Sequence, residues 1–393
     1  MNNTGILLGL LALIVGTSCY ADNGFPDIPK RIVPTIETLP AQGEIILDVR
    51  RIPTSGSTVG IEIGVFDLAT QTQAIWDLTQ RISLVVPLRS QTMRASWSSR
   101  QEKLLLAMAD GAYLVDPAGH VQRVNLKMAG TSVDYIDARQ FELSVDGAFI
   151  SFMLEGHELG DKSPDVNDPH KVNRGKYYSE LLLEETSGTA PVTIAKSEIS
   201  FDSAGRRLSP PQFVSLPALN PDRSKMAFQM RGERGNALLE IADIAEGIVT
   251  SIRVVHLPDA RGDSGIWEIR WSPDGQTLGL IVRNDWIEGS KLQYKSKLFV
   301  ASKDGQEFRE VRFAGKDMNI SSFAWSPTGD RFALRTDLGA KTICNHNVFY
   351  HAETGSWPCI DSANLYVGAE DGSVLKKISR EPEFRSGQLY WIR

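Results

Sequence analysis

From Glu44 onward, short runs rich in Val, Ile, Leu, Phe and Tyr alternate with turn residues. Helical 3.6-residue periodicity is hard to find anywhere after the first residues. Alternation without a helical period predicts an all-β chain of many short strands. The stretch before it, from Ala21 to Gly43, holds four prolines and no steady period, so 22–43 reads as an extended linker.

The alternation is organised as a repeat. Six hairpin-like segments align: "VFDLATQ" from Val65, "LVDPAGH" from Leu114, "LEETSGT" from Leu183, "IADIAEG" from Ile241, "VASKDGQ" from Val300 and "VGAEDGS" from Val367. Between them runs a second series: "ASWSSRQEKLLLAM", "FELSVDGAFISFM", "LPALNPDRSKMAFQM", "IRWSPDGQTLGLI" and "FAWSPTGDRFALR". Each places a bulky residue (Trp97, Leu143, Leu219, Trp271 or Trp325), then a tight turn, then an apolar strand. Asp-Gly, Thr-Gly and Pro-Asp supply the backbone conformations such turns require. The repeat length averages roughly 60 residues, above the ~40–50 of common propeller repeats, so loops must be inserted.

Trp271-Ser272-Pro273-Asp274-Gly275 and Trp325-Ser326-Pro327-Thr328-Gly329 resemble the W-S-P-D-G signature of the TolB-type, WD-like propeller repeats. The resemblance covers about Glu44 to Arg393 and is degenerate in the copies around Trp97, Leu143 and Leu219. It implies a six-bladed β-propeller with four strands per blade, and it says little about function, because propellers serve enzymes, scaffolds and receptors alike. The first unit, from Glu44 to about Asp77, lacks a strand carrying the bulky residue. "GQLYWIR" at the end of the chain supplies one, with Trp391 in the position of Trp271. The ring is therefore expected to close by the C-terminal strand pairing into the first blade, which protects open edges.

Composition changes this picture little. Apolar residues make up 42% and charged residues 23% of 393 positions, ordinary globular values. A net charge of −6 argues against binding nucleic acid through its phosphates. The first 21 residues read as a signal peptide: the apolar run Gly5–Thr17 is too short for the ~20 residues of a spanning helix and ends in small residues. "VGTSC" resembles a bacterial lipobox that would lipidate Cys19 and tether the chain to a membrane, while "CYA" before Asp22 suits ordinary cleavage. The odd cysteine count favours the lipobox. Cys344 and Cys359 then remain as a disulfide pair in an oxidising compartment. Metal binding by that pair with His346 or His351 lacks the usual ligand spacing.

"RGDSGIWEIRWSPDG", Arg261–Gly275, contains both R-G-D and the G-D-S-G of a serine-protease nucleophile loop. Ser264 has only His256 near it in sequence, and Ile266 stands where the protease pattern continues with glycine. The segment reads as a blade junction, with no catalytic residue.

In a four-stranded antiparallel blade the a–b and c–d turns lie on one face of the disc. The b–c connections and blade-to-blade links lie on the other. The long segments all fall on this second face: Gly156–Lys176 in blade three, Arg283–Lys297 in blade five and Asp337–Asp361 in blade six. Blades three and six are opposite one another, so their insertions would flank the axis. Long loops on a rigid scaffold tend to carry function. The blade-three insertion contains His157, Asp161, Asp165, Asp168 and His170, but not the order of a calcium loop, so a solvated acidic loop is the expectation, with no metal or cofactor. Trp286, Tyr294, Phe349, Tyr350 and Trp357 are candidate partner anchors. The expected function is an exported, non-catalytic propeller that binds a protein or peptide of the bacterial envelope through its loop-rich face, as the TolB resemblance implies. The alternative is a lyase or hydrolase with its site at the channel mouth, drawing acid–base groups from His157, Asp165, His346 or His351.

Overall fold

The computed structural model describes residues 34–53, 58–78, 86–87, 94–98, 101–108, 111–124, 133–158, 177–187, 191–199, 215–231, 237–245, 248–257, 265–288, 291–313, 318–337, 363–381 and 387–392. The chain divides at Pro34/Thr35, and the larger unit, Thr35–Arg393, holds every strand described below.

Six antiparallel sheets form the blades. Blade one contains β1 (Thr35–Ile36), β2 (Ile45–Pro53), β3 (Thr58–Asp67), β4 (Thr72–Asp77) and the short β5 (Val86–Pro87). Blade two is β6 (Arg94–Ser98), β7 (Lys103–Met108), β8 (Gly111–Val115) and β9 (Val121–Val124). Blade three is β10 (Val133–Leu143), β11 (Phe149–Glu158), β12 (Tyr177–Glu185) and β13 (Val192–Ile199). Blade four is β14 (Ser215–Leu219), β15 (Lys225–Arg231), β16 (Ala237–Ala245) and β17 (Ile248–Val255). Blade five is β18 (Gly265–Trp271), β19 (Thr277–Glu288), β20 (Lys291–Ser302) and β21 (Phe308–Glu310). Blade six is β22 (Asn319–Trp325), β23 (Arg331–Asp337), β24 (Ala363–Ala369) and β25 (Leu375–Glu381). The last strand, β26 (Gly387–Trp391), pairs antiparallel with β2, placing Trp391 opposite Ile46. The ring closes as the repeat predicts, through the C-terminal strand.

Within the proline-rich 22–43 stretch, β1 adds to the outer edge of blade one, parallel to β4. The Trp76 indole N–H donates to Glu37 O at 3.1 Å, and Leu39 N donates to Pro117 O in blade two. Leu39 is buried with side chains of blades one and two, so this segment straps the first seam.

Every blade is apolar on both faces, because each face packs on a neighbour. The core is accordingly six layers, one per seam: Leu47 with Trp97, Leu105 with Phe152, Leu181 with Phe228, Leu239 with Trp271, Ile281 with Phe323, and Leu365 with Trp391. The six bulky repeat positions, Trp97, Leu143, Leu219, Trp271, Trp325 and Trp391, are all buried; five end an innermost strand and Trp97 stands one residue before its end. Two of them tie successive blades by the same bond: Trp271 Nε1 donates to Ala218 O at 2.9 Å and Trp325 Nε1 to Arg270 O at 3.2 Å.

The repeat turn explains its own composition. In blade five Gly275 N donates to Ser272 O and Ser272 N to Thr277 O, while the Ser272 hydroxyl donates to Asp274 and accepts from Thr277 N. Gly275 takes φ +70°, which glycine adopts without strain. Blade four keeps the circuit with Asn220 in place of serine and Arg223 at φ 64°, so the degenerate copies form the same turn.

Candidate interaction face

The two ends of the disc differ in chemistry. At the short-turn end, ion pairs cross one seam after another. Arg223 meets Asp146 between blades four and three; Lys303 meets Asp222 and Arg253 meets Asp304 between blades five and four. Arg309 pairs with Glu370 between blades five and six, and Arg331 with Glu44 between six and one at 2.6 Å. Lys225, nearly buried, pairs with Asp243 and reaches Asp304 at 3.3 Å. Burial alone would lower the Lys225 pKa, but its bonds to Asp243 and Asp304 outweigh that and raise it. Lys225, followed by the Ser251 hydroxyl, holds the Asp243 carboxyl below its ordinary value. Among the described residues, these charges pair with one another across four of the six seams.

The opposite end, where the b–c hairpins and blade links lie, carries exposed aromatic surface in blade five. Arg283–Lys297, expected as an inserted loop, is instead a continuation of the blade. β19 and β20 stay paired from Thr277↔Ser302 to Glu288↔Lys291, leaving Gly289-Ser290 as the connection. From Leu280 to Glu288 the run "LIVRNDWIE" contains neither glycine nor proline, so nothing interrupts the ladder.

Trp267 is the second element of this surface. The pairing of β18 with β19 shifts between Ile266↔Val282 and Glu268↔Ile281, so Trp267 is a bulge residue. A bulge turns one side chain away from the alternation that buries Trp271. Trp267 is 53% exposed as a result. It stacks on the Arg283 guanidinium at 4.6 Å, and that guanidinium also lies over the Tyr294 ring at 4.1 Å. Asp285 fixes the arginine from the side, accepting from Arg283 Nε at 2.6 Å. The result is a three-layer stack of ring, guanidinium and ring, with Trp267 outermost. Such cation–π layers contribute about 0.5–1 kcal/mol each at exposed sites and hold the outer ring in place. The equivalent bulge position of blade six is occupied by Ser321. Trp286, near the hairpin tip, is 43% exposed.

Of the candidate anchors, Trp286 is therefore exposed and Tyr294 is half-buried beneath Arg283. His157 lies in β11 opposite Tyr177, with its side chain outside the described residues. Asp161, Asp165, Asp168, His170, His346, His351, Phe349, Tyr350 and Trp357 lie outside them as well, as do Cys19, Cys344 and Cys359. Ser264 is also outside, immediately before β18 in the link that joins blade four to blade five. Trp267 is the residue that sequence reasoning missed.

Comparison with solved structures finds similarity at low identity. The chain is similar to a putative TolB from Agrobacterium tumefaciens, with TM-score 0.47 and 15% identity, over 88% of this chain and 91% of that one. It is similar to TolB from Acinetobacter baumannii with TM-score 0.47 and 14% identity, over 88% of this chain and 66% of that one. An oligogalacturonate lyase solved in complex with manganese gives TM-score 0.44 and 15% identity over 86% of both chains. No protein-family model and no curated protein matches the chain.

Proposed function

We propose that this propeller is a binding protein that captures a protein or peptide partner on the face formed by its b–c hairpins and blade links. One observation carries the reading. Exposed tryptophan concentrates on that end of blade five, with Trp267 held on a guanidinium–aromatic stack, while the opposite end pairs its charges internally. A rigid, exposed aromatic with a fixed polar neighbour is what interface anchors are made of, since little side-chain entropy is lost on docking. The apolar leader and the lipobox-like "VGTSC" support an exported, envelope-associated setting for that partner.

The test is capture from envelope extract by the full chain, compared with Trp267→Ala and Trp286→Ala. A Trp anchor removed from an interface costs about 2 kcal/mol or more, a loss of roughly 30-fold in affinity. Both positions face solvent, so thermal unfolding is expected to stay within about 0.5 kcal/mol of the native chain. Capture that survives the double substitution undiminished refutes the assignment of this face.

A further inference from the structure

The residue before each bulky repeat position is Tyr390 in blade one, then Ser96, Glu142, Ala218, Arg270 and Ala324 in blades two to six. Large and small alternate around the ring: blades one, three and five contribute Tyr, Glu and Arg, and the others Ser, Ala and Ala. All six sit at the short-turn end of the innermost strands, which pack side by side around the axis.

Arg270 shows the consequence. It starts in blade five, yet its guanidinium lies 4.5 Å from the Tyr390 ring centroid in blade one. Tyr390 in turn packs toward blade two, where its hydroxyl donates to Ala95 O. Blade five is opposite blade two, so Arg270 and Tyr390 together link opposite sides of the ring across the position of blade six. It is anchored at its base, where Arg270 Nε donates to Glu268 Oε1 at 2.7 Å and Glu268 Oε2 accepts from Phe323 N of blade six at 3.1 Å. Burial alone would lower the Arg270 pKa, but the charges of Glu268, Tyr390 and Glu142 raise it instead, so blade three also acts on the guanidinium. A collar of similar bonds surrounds it. Gln388 Oε1 accepts from Ala95 N at 2.6 Å, Ser322 Oγ from Leu389 N at 3.2 Å, and Ser96 Oγ from Leu143 N at 2.8 Å.

We propose that Arg270 and Tyr390 seal the propeller axis at its short-turn end, so that the axis opens on the hairpin face alone. A partner docked there can insert a chain terminus, a tight loop or a single side chain, and cannot be threaded through the ring. The seal stands on the geometry of these side chains; its consequence for the partner rests on the binding face proposed above.

The experiment measures thiol reactivity in the full chain, with peptide-mapped mass spectrometry separating each reporter from Cys19, Cys344 and Cys359. Ser96→Cys places a reporter next to Ala95, whose carbonyl accepts from the Tyr390 hydroxyl, Ala242→Cys one in the seam of blades three and four, and Ser373→Cys one on an exposed turn. With Arg270 in place, Ser96→Cys should react with N-ethylmaleimide as slowly as Ala242→Cys. Reaction at the rate of Ser373→Cys would mean an open axis and overturns the proposal. Adding Arg270→Ala should accelerate Ser96→Cys at least about tenfold by local opening, with Ala242→Cys unchanged. If both reporters accelerate together, or neither does, Arg270 is not the seal. Adding Trp267→Ala should leave both rates unchanged. No step requires a partner, so a failed capture experiment and a failed seal are distinguishable.

Discussion

Deleting Gly387–Arg393 removes β26, and the structure sets the size of the loss. Leu389, Tyr390, Trp391 and Ile392 are all buried, in the two seams that flank blade one. At about 1.5–3 kcal/mol for each large apolar side chain taken from water, their burial is worth roughly 6–12 kcal/mol. The deletion also strips the ladder partners of β2 from Ile46 to Arg50 and breaks the bonds that Ala95 N donates to Gln388 Oε1 and Leu389 N donates to Ser322 Oγ. Arg331 loses the Trp391 ring that lies 4.8 Å from its guanidinium. Whole domains are stable by only about 5–15 kcal/mol, so the truncated chain should not fold cooperatively. Urea unfolding followed by far-UV circular dichroism and tryptophan fluorescence checks this. Leu389→Ala grades the same effect, at about 2–5 kcal/mol. A truncated chain with one sharp transition at the full-length midpoint would refute the closure argument.

Other consequences are equally direct. Asp48 and Arg335 form a buried ion pair across the seam of blades six and one. Asp48→Ala should destabilise by about 3–5 kcal/mol by leaving a buried charge, while Asp48→Leu with Arg335→Met should recover much of that in the same denaturation assay. A Cβ on Gly279 would sit 2.6 Å from the Phe323 ring, so Gly279→Ala should cost about 1–3 kcal/mol by overpacking, and an unchanged midpoint would place that seam elsewhere. Burial would raise the Asp222 carboxyl, but the Ser224 hydroxyl and amide, Asn220 and the Lys303 charge bring it from 3.8 to about 2. Its folded value is the lower one, so its contribution is complete above about pH 4 and disappears as pH falls through about 2. Acid titration of stability should therefore be flatter in that window for Asp222→Asn than for the native chain.

The sequence by itself determined the architecture, because the features that specify a propeller are local and repeated. Alternation named the strands, the turn residues from Trp271 to Gly275 encoded a self-contained hydrogen-bond circuit, and six such units left one blade short of a strand that only "GQLYWIR" could supply. Even the degenerate copy at Leu219 kept its turn, since Asn220 and Arg223 meet the same backbone requirements. The candidate site was much less legible. Trp267 and Trp271 are four residues apart in one strand, so alternation puts them on one face; a bulge set by the pairing with β19 buries one and exposes the other. Arg283–Lys297 had the polar composition of a loop, yet pairing across the hairpin makes it a strand extension. The axial contact of Arg270 with Tyr390 joins residues 120 positions apart, and Asp48 meets Arg335 across the closing seam. Neither pair leaves a local signature. Strand identity follows from each segment's own pattern, whereas bulges, seams and axial packing depend on which segments the closed ring brings together.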